Sequence, residues 1–592
     1  MAKRTQLENF PNLVAMFLAR VAEKGDAPFL WAKRGGAWTS ISYNEAARQV
    51  AVLSASLLKL GLKPGDRVML VSENRPEWLI ADLAIMAAGC VTVPTYTTNT
   101  TRDHTHILGN SGARAVIVST QKLAKALVPA VLFSSHCNDV IGIDDIRTGQ
   151  AVEGAHFHHW AELVAGGGDM EAMRRRIADV KREDLACLIY TSGTGGAPRG
   201  VRQHHGAILH NCAACIDVIA NDFGWDDEVF LSFLPASHAY EHSGGQMFPI
   251  ALGGQLYYAE SLEKLSANIE EVRPTIMVVV PRLFEMLRQR LLKTVEKSGK
   301  FSQLLLSRAL EIGQERYEKG SVSLADRPME LFLALTLKRK VAAKFGGRIK
   351  AMVSGGAPLN PEVGVFFHSL GLTLLQGYGQ TESAPVISCN RPKAGIRLDT
   401  VGPPLLNTEV RMAEDGEILV RGELVMHGYW NNPEETARVL KDGWLHTGDI
   451  GHFDDAGRIV ITDRKKDLIV NDKGDNVAPQ RVEGMLTLQP EIAQAMVAGD
   501  RRPHLVGLIV PEPELIGQFK GNEAGLKAAL QKAVDRVNAD LSVVEKVRRF
   551  IVADDAFTVD NEMLTPSMKI RRHVIRARYG ERLDALYGGK AA

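Results

Sequence analysis

Between about Ser42 and Val118, stretches with apolar residues three and four apart alternate with short β-rich runs such as Arg67–Val71 and Ala115–Ser119. That alternation predicts an α/β body with parallel strands. A second α/β stretch is expected from Leu185 to about Ile387. Inside it, Arg282 to Lys350 is long and charged, with helices predicted over Leu304–Tyr317 and Glu330–Phe345, which reads as an inserted helical layer. From Gly402 the pattern shortens to strands and turns (Glu409–Met412, Gly416–Arg421, Gly457–Ile461), as in a small β-barrel or sheet. After Asp463 the chain restarts as a compact α+β unit, and Asp463-Arg464-Lys465-Lys466-Asp467 reads as a charged hinge before it. The expected division is a body over 1–462, with an insert at about 285–345 and a β-rich part at about 400–462, then a domain over 463–592.

Composition narrows this picture. A chain of 592 residues is too long for one core. Lys+Arg 70 against Asp+Glu 69 leaves no basic excess, so charge gives no support to a nucleic-acid partner or an anionic membrane. No apolar run approaches the roughly 18 residues of a spanning helix. Leu13–Val21, interrupted by Arg20, predicts an amphipathic first helix and not a signal peptide. Six cysteines make no disulfide framework and suit a reducing cytoplasm. Cys212 and Cys215 form a CxxC inside a helical pattern without a second pair, so they read as buried helix thiols. His156, His158 and His159 lack ligand partners at metal spacing and read as a surface loop.

The densest chemistry lies in Tyr190-Thr-Ser-Gly-Thr-Gly-Gly-Ala-Pro-Arg-Gly200, where the apolar run Leu185–Tyr190 meets small residues, then a cation, then a predicted helix. Gly193, Gly195 and Gly196 let backbone N–H groups turn inward as an anion nest, and Thr191, Ser192 and Thr194 add hydroxyls. Arg199 brings a charge suited to phosphate oxygens. Pro198 stands where a P-loop needs its second glycine, and GxGxxG is missing from the string, so both fingerprints fail. On composition alone an ordinary flexible loop stays open.

In Gln376-Gly-Tyr-Gly-Gln-Thr-Glu382, Gly377 and Gly379 allow close backbone approach and Tyr378 offers a flat face for a purine. Thr381 can bond a phosphate, and the Glu382 carboxylate suits Mg²⁺. Asp442-Gly-Trp-Leu-His-Thr-Gly-Asp449 ends in a carboxylate whose two oxygens can accept both hydroxyls of a ribose. Leu234-Pro-Ala-Ser-His-Ala-Tyr-Glu241 and Ser354-Gly-Gly-Ala-Pro-Leu359 are weaker signals: His238 alone also suits a core histidine, and the second string a plain turn.

Taken in order from about Ser42 to Arg572, these motifs resemble the adenylate-forming (AMP-binding) superfamily, in particular its bacterial long-chain fatty acyl-CoA synthetases. The usual loop reads YTSGTTGxPKG, and this chain departs from it at Gly195 and Arg199. The resemblance implies that Thr191, Ser192, Gly193, Thr194, Gly195, Gly196 and Arg199 hold phosphates, and that His238 lies beside the acyl pocket and triphosphate. It implies an adenine pocket from Gly355, Gly356, Ala357 and Pro358 with Gln376, Gly377, Tyr378 and Gly379. Thr381 and Glu382 take phosphate and metal, Asp449 and Arg464 take ribose, and Lys466 is the pivot of a mobile C-terminal domain. Leu564-Thr-Pro-Ser-Met-Lys-Ile-Arg-Arg572 has the LTPxxKxxR form of the long-chain group and supplies the catalytic Lys569, with Met568 where the superfamily has glycine.

The implied fold is α/β: two α/β subdomains and a small β-barrel in a large N-terminal domain, then a small α+β C-terminal domain. The implied activity joins a fatty acid to coenzyme A through an acyl-adenylate, using ATP and Mg²⁺. A fatty acyl-AMP ligase serving a carrier protein, a ligase for aryl or other acids, and an inactive scaffold are the alternatives. Expected partners are the small-molecule substrates, without nucleic acid or a transmembrane segment, in the cytoplasm. Peripheral membrane contact and a homodimer stay open.

Overall fold

The computed structural model describes residues 9–147, 154–191, 197–465, 468–473, 475–565 and 570–588. Among these, two large sheets form the body. The first has seven strands in the order His156–His159, Asp139–Gly142, Ala115–Val118, Arg67–Val71, Val91–Thr95, Leu185–Thr191 and Arg199–His204. Its neighbours run parallel except the last pair, which is antiparallel. The second has eight, in the order Val386–Cys389, Leu374–Gly379, Ala351–Ser354, Ile276–Val279, Val229–Ser232, Gln255–Tyr258, Pro28–Arg34 and Ala37–Ser42, parallel except at both ends.

Parallel strands are covered on both faces, so they read as unbroken apolar runs. Val68–Val71 and Ala115–Val118 are buried throughout. The helix Pro76–Ala87 buries every residue but Glu77, as a helix apolar all round must. The two α/β stretches of the sequence do not each make one sheet. Cys187, from the second stretch, pairs with Thr92 in the first sheet, while the second sheet takes in Leu30, from ahead of the first stretch, beside Leu256. Apolar runs mark a strand as buried without naming its neighbour.

Two local expectations need correction. His156–His159 is an edge strand and not a loop, with His158 Nε2 2.8 Å from Asp139 Oδ1 on the adjacent strand. Arg199 opens a strand, not a helix; the helix begins at His205. Cys212 and Cys215 do lie in that helix, His205–Asp222, as free thiols. The first helix, Leu13–Lys24, is capped by Asn12 and buries even Arg20, whose Nε donates to the Ala251 carbonyl at 3.0 Å.

The helical layer spans Pro281–Lys297, Lys300–Lys319 and Arg327–Lys344. It closes on the body where Gly313 meets Ser369, so tightly that a Cβ would overlap the serine side chain. The β-rich part is one antiparallel sheet in which Trp444–Phe453 pairs with Glu417–Arg421, Leu440–Lys441 and Ile459–Arg464, and Glu409–Met412 lies outside. The last unit packs Ile492–Ala498, Leu505–Pro511 and Val547–Val552 under the helices Pro479–Thr487, Glu523–Ala539 and Arg572–Gly588. Among the described residues, no helix is long and apolar enough to cross a membrane.

Candidate active site

The motifs gather at the carboxyl ends of the strands, where open α/β sheets bind ligands. Thr191 ends one strand, Ser232 ends another that leads to His238, Ser354 ends a third that leads to Gly355–Pro358, and Gly379 ends a fourth that leads to Thr381 and Glu382. Thr191 Oγ1, Ser354 Oγ, Gln376 Oε1 and Gln380 Nε2 are buried without a hydrogen-bond partner among the described residues. Buried polar atoms are rarely left unpaired. Ser354 and Gln376 stand opposite each other on adjacent strands, so two of these unpaired polar side chains sit at neighbouring positions, a set of groups that fits a polar ligand such as a purine.

Close backbone approach is built in here. A Cβ on Gly379 would overlap the Pro385 carbonyl, and Gly356 has a φ of +81°. Gly356, Ala357 and Pro358 are exposed, whereas Gly355 is covered by the Tyr240 ring, 2.8 Å from where a Cβ would stand. Tyr240 also donates to the Val353 carbonyl at 2.8 Å, tying the His238 segment to this turn. His238 caps the short helix Ala239–Glu241, its Nδ1 accepting from the Tyr240 amide at 3.1 Å. Glu241 lies behind it, fully buried with Ser232 Oγ at 2.5 Å, and burial pushes its carboxyl up to about 8.

A ribose-type end is compact. Asp449, 5% exposed, accepts from the Tyr378 hydroxyl at 2.7 Å and from Arg464 Nε at 3.2 Å. Asp449 and Arg464 are direct partners on adjacent strands, so the backbone itself sets their distance. Tyr378 is mostly buried in the β-rich core, and burial raises its phenol well above the usual value.

The phosphate-type end is more open. Thr191 and Arg199 face each other across the hairpin whose loop, Ser192, Gly193, Thr194, Gly195 and Gly196, lies outside the described residues. Arg199 NH1 pairs with Glu435 Oε2 at 2.6 Å, and its guanidinium lies 4.8 Å from the centre of the Tyr429 ring. The Tyr429 hydroxyl donates to Glu382 Oε1 at 2.7 Å. The Thr381 carbonyl accepts from Gln203 Nε2 at 2.7 Å, joining the two halves behind them. No cluster of three or more metal-type side chains exists among the described residues. A Mg²⁺ that keeps water and phosphate ligands needs only one or two carboxylates, which Glu382 fits.

Lys466 and Lys569 lie outside the described residues. Next to the first, Lys465 is ion-paired with Asp415 at 2.6 Å and Glu417 at 3.2 Å instead of standing free in a linker. Around the second, Leu564 and Ile570 bridge each other and bring its flanks together. Sequence reasoning missed Tyr429 and Glu435. The only signal was Asn432-Pro433, a cap followed by a proline at the first turn of the helix Pro433–Val439.

Residues 17–430 match the model of the AMP-binding enzyme family, and residues 466–591 that of the AMP-binding enzyme C-terminal domain. The chain belongs to the AMP-binding enzyme family. It is 31% identical to the long-chain-fatty-acid–CoA ligase FadD15 of Mycobacterium tuberculosis over 97% of both chains. It is 28% identical to long-chain-fatty-acid–CoA ligase 1 of Homo sapiens, covering 96% of this chain and 84% of that one. Among solved structures, the adenylation domain of a carboxylate reductase from Mycobacterium chelonae shares its fold, with a TM-score of 0.77 and 23% identity over 98% of this chain and 92% of that one. AMP-binding enzymes thus supply the frame for the contacts described above.

Proposed function

We infer that this enzyme activates a long-chain fatty acid with ATP and passes the acyl group to coenzyme A, releasing AMP and pyrophosphate. The observation that carries the reading is one run of contacts along Gln376–Glu382. It has a cation suited to polyphosphate at one end (Arg199–Tyr429–Glu382) and a carboxylate suited to ribose at the other (Tyr378–Asp449–Arg464). Relatives named for the same activity align over nearly the whole chain.

A carboxylate is a poor electrophile because it would have to expel oxide. In the first step its oxygen bonds to the α-phosphorus of ATP, and the bond to the β-phosphate oxygen breaks, pyrophosphate leaving with the electron pair. Two anions must meet, so cations aimed at the developing charge lower the barrier. On this reading Arg199 and the 191–200 loop receive the pyrophosphate, Lys569 supplies positive charge to the reacting phosphate, and Asp449 with Arg464 holds the ribose. Mg²⁺ on Glu382 would neutralise phosphate charge when bound. In the second step the coenzyme A sulfur loses its proton to solvent and bonds to the carbonyl carbon, and the bond from that carbon to the phosphate oxygen breaks, AMP leaving with the electron pair. Rotation of the C-terminal domain about Lys466 exchanges Lys569 for the thiol between steps.

Lys569→Ala should slow adenylation about 10²–10³-fold, read as pyrophosphate exchange, because one electrostatic donor is removed. Acyl-adenylate supplied from outside should still become acyl-CoA. Equal loss in both half-reactions would overturn the assignment.

A further inference from the structure

Arg199 stands where the superfamily's loop has lysine, and its side chain already has an anionic partner. Glu435 comes from the first turn of the helix Pro433–Val439, 236 residues away in sequence. Its Oε2 takes Arg199 NH1 at 2.6 Å and also Arg438, Nε at 3.1 Å and NH2 at 2.7 Å. The Glu435 carboxylate therefore keeps a cation when Arg199 turns away. Arg199 in turn keeps a surface to lie on, the Tyr429 ring 4.8 Å away.

That ring is held on three sides. Its backbone N–H donates to Thr436 Oγ1 at 2.9 Å, its hydroxyl to Glu382 Oε1 at 2.7 Å, and Tyr429 bridges Val201 on the strand that begins with Arg199. The next residue, Trp430, donates its backbone N–H to the Gly200 carbonyl at 2.7 Å. The segment is thus fastened to the exit of the phosphate loop. A guanidinium carries five N–H donors in a flat fork, so it can slide on a ring while changing which edge meets an anion; an ammonium cannot. Both side chains of the pair are partly exposed, 23% and 30%, so exchange is cheap.

We propose that Glu435 sets the affinity for the β- and γ-phosphates by competing for the Arg199 guanidinium, with the Tyr429 ring as the surface on which it turns. This rests on the reading of Arg199 as a phosphate-binding residue. Glu435 is a positioning residue: it touches no reacting atom, and it sets how much of Arg199 is available to the nucleotide. Because AMP lacks the two outer phosphates, the effect belongs to ATP and not to AMP.

The test is equilibrium binding of α,β-methylene-ATP and of AMP to the full-length protein by calorimetry. Glu435→Gln keeps the shape of the side chain and removes its charge, and should tighten the ATP analogue about three- to fivefold while leaving AMP unchanged. Arg199→Ala should weaken the analogue about tenfold or more, again sparing AMP. In the Arg199→Ala background, Glu435→Gln should then change nothing, since its effect passes through Arg199. An unchanged analogue affinity in Glu435→Gln overturns the competition. So does an equal shift for AMP and the analogue, which would mean that the helix Pro433–Val439 had moved. If Arg199→Ala spares the analogue, the phosphate reading of Arg199 itself fails, a result distinct from the first two. Matching melting temperatures confirm that the variants are folded.

Discussion

The two ends of the candidate nucleotide site solve the same problem, holding a charged group, in opposite ways. At the ribose-type end the carboxylate is buried and already satisfied: Asp449 is 5% exposed, with Arg464 beside it on the adjacent strand and the Tyr378 hydroxyl reaching it from the eight-stranded sheet. At the phosphate-type end Arg199 is partly exposed and its partner Glu435 comes from a separate helix. Strand register keeps the backbones beneath Asp449 and Arg464 together, although the Arg464 side chain is itself 41% exposed. A pair between a hairpin and a helix can exchange one anion for another. On the proposed reading, rigidity sits where AMP would stay bound through both half-reactions, and exchangeability where pyrophosphate would enter and leave.

Three experiments test that contrast. The largest effect is expected at the rigid end. Asp449→Ala leaves Arg464 without its buried partner and should weaken AMP and ATP alike, about 100-fold by calorimetry. A loss confined to ATP would place Asp449 on the phosphate side. Next comes the open end: Glu382→Gln removes the charge that Tyr429 holds in place, and should raise the Mg²⁺ concentration for half-maximal activity about tenfold. An unchanged Mg²⁺ dependence would move the metal ligand elsewhere. The smallest effect on binding, none, is expected for Glu241→Gln, behind the cleft wall. Here stability should respond instead. The Glu241 carboxyl is pushed up to about 8 in the folded state, so folding favours its protonated form. That advantage is complete below about pH 4.5 and is lost as pH rises towards 8. Glutamine does not titrate, so the variant should gain on the parent by up to about 1 kcal/mol per pH unit across that window. Melting temperatures at pH 5 and 8 check this; a constant gap would mean that Glu241 is already ionised.

The rigid end was the more legible in sequence. Asp449 and Arg464 sit in distinctive strings, and the strands carrying them are adjacent in the chain. The helices Pro281–Lys297 and Lys300–Lys319 were legible because long amphipathic helices repeat their pattern over many turns. Sheet membership was not: Leu185–Thr191 and Val229–Ser232 look alike as apolar runs, yet they join different sheets, with partners chosen by packing across the whole body. The strand His156–His159 was hidden because an edge strand needs no apolar face, only a neighbour's backbone. Glu435 was hidden for a related reason. A glutamate in the first turn of a helix suits the helix itself, and nothing local reveals that an arginine 236 residues away will use it.

The six cysteines suit the chain to optical labelling. All six are free, and all but Cys215 are buried. Burial pushes the Cys90, Cys137 and Cys215 thiols up to about 12, and Cys187, Cys212 and Cys389 upward as well. Thiolate is the reactive form, so slow reaction with thiol reagents is the expected behaviour of the folded protein. A single cysteine introduced on the exposed face of Glu523–Ala539 would then be the dominant labelling site, without any native thiol having to be removed. A dye placed there gives a direct optical view of whether the C-terminal unit turns between the two half-reactions.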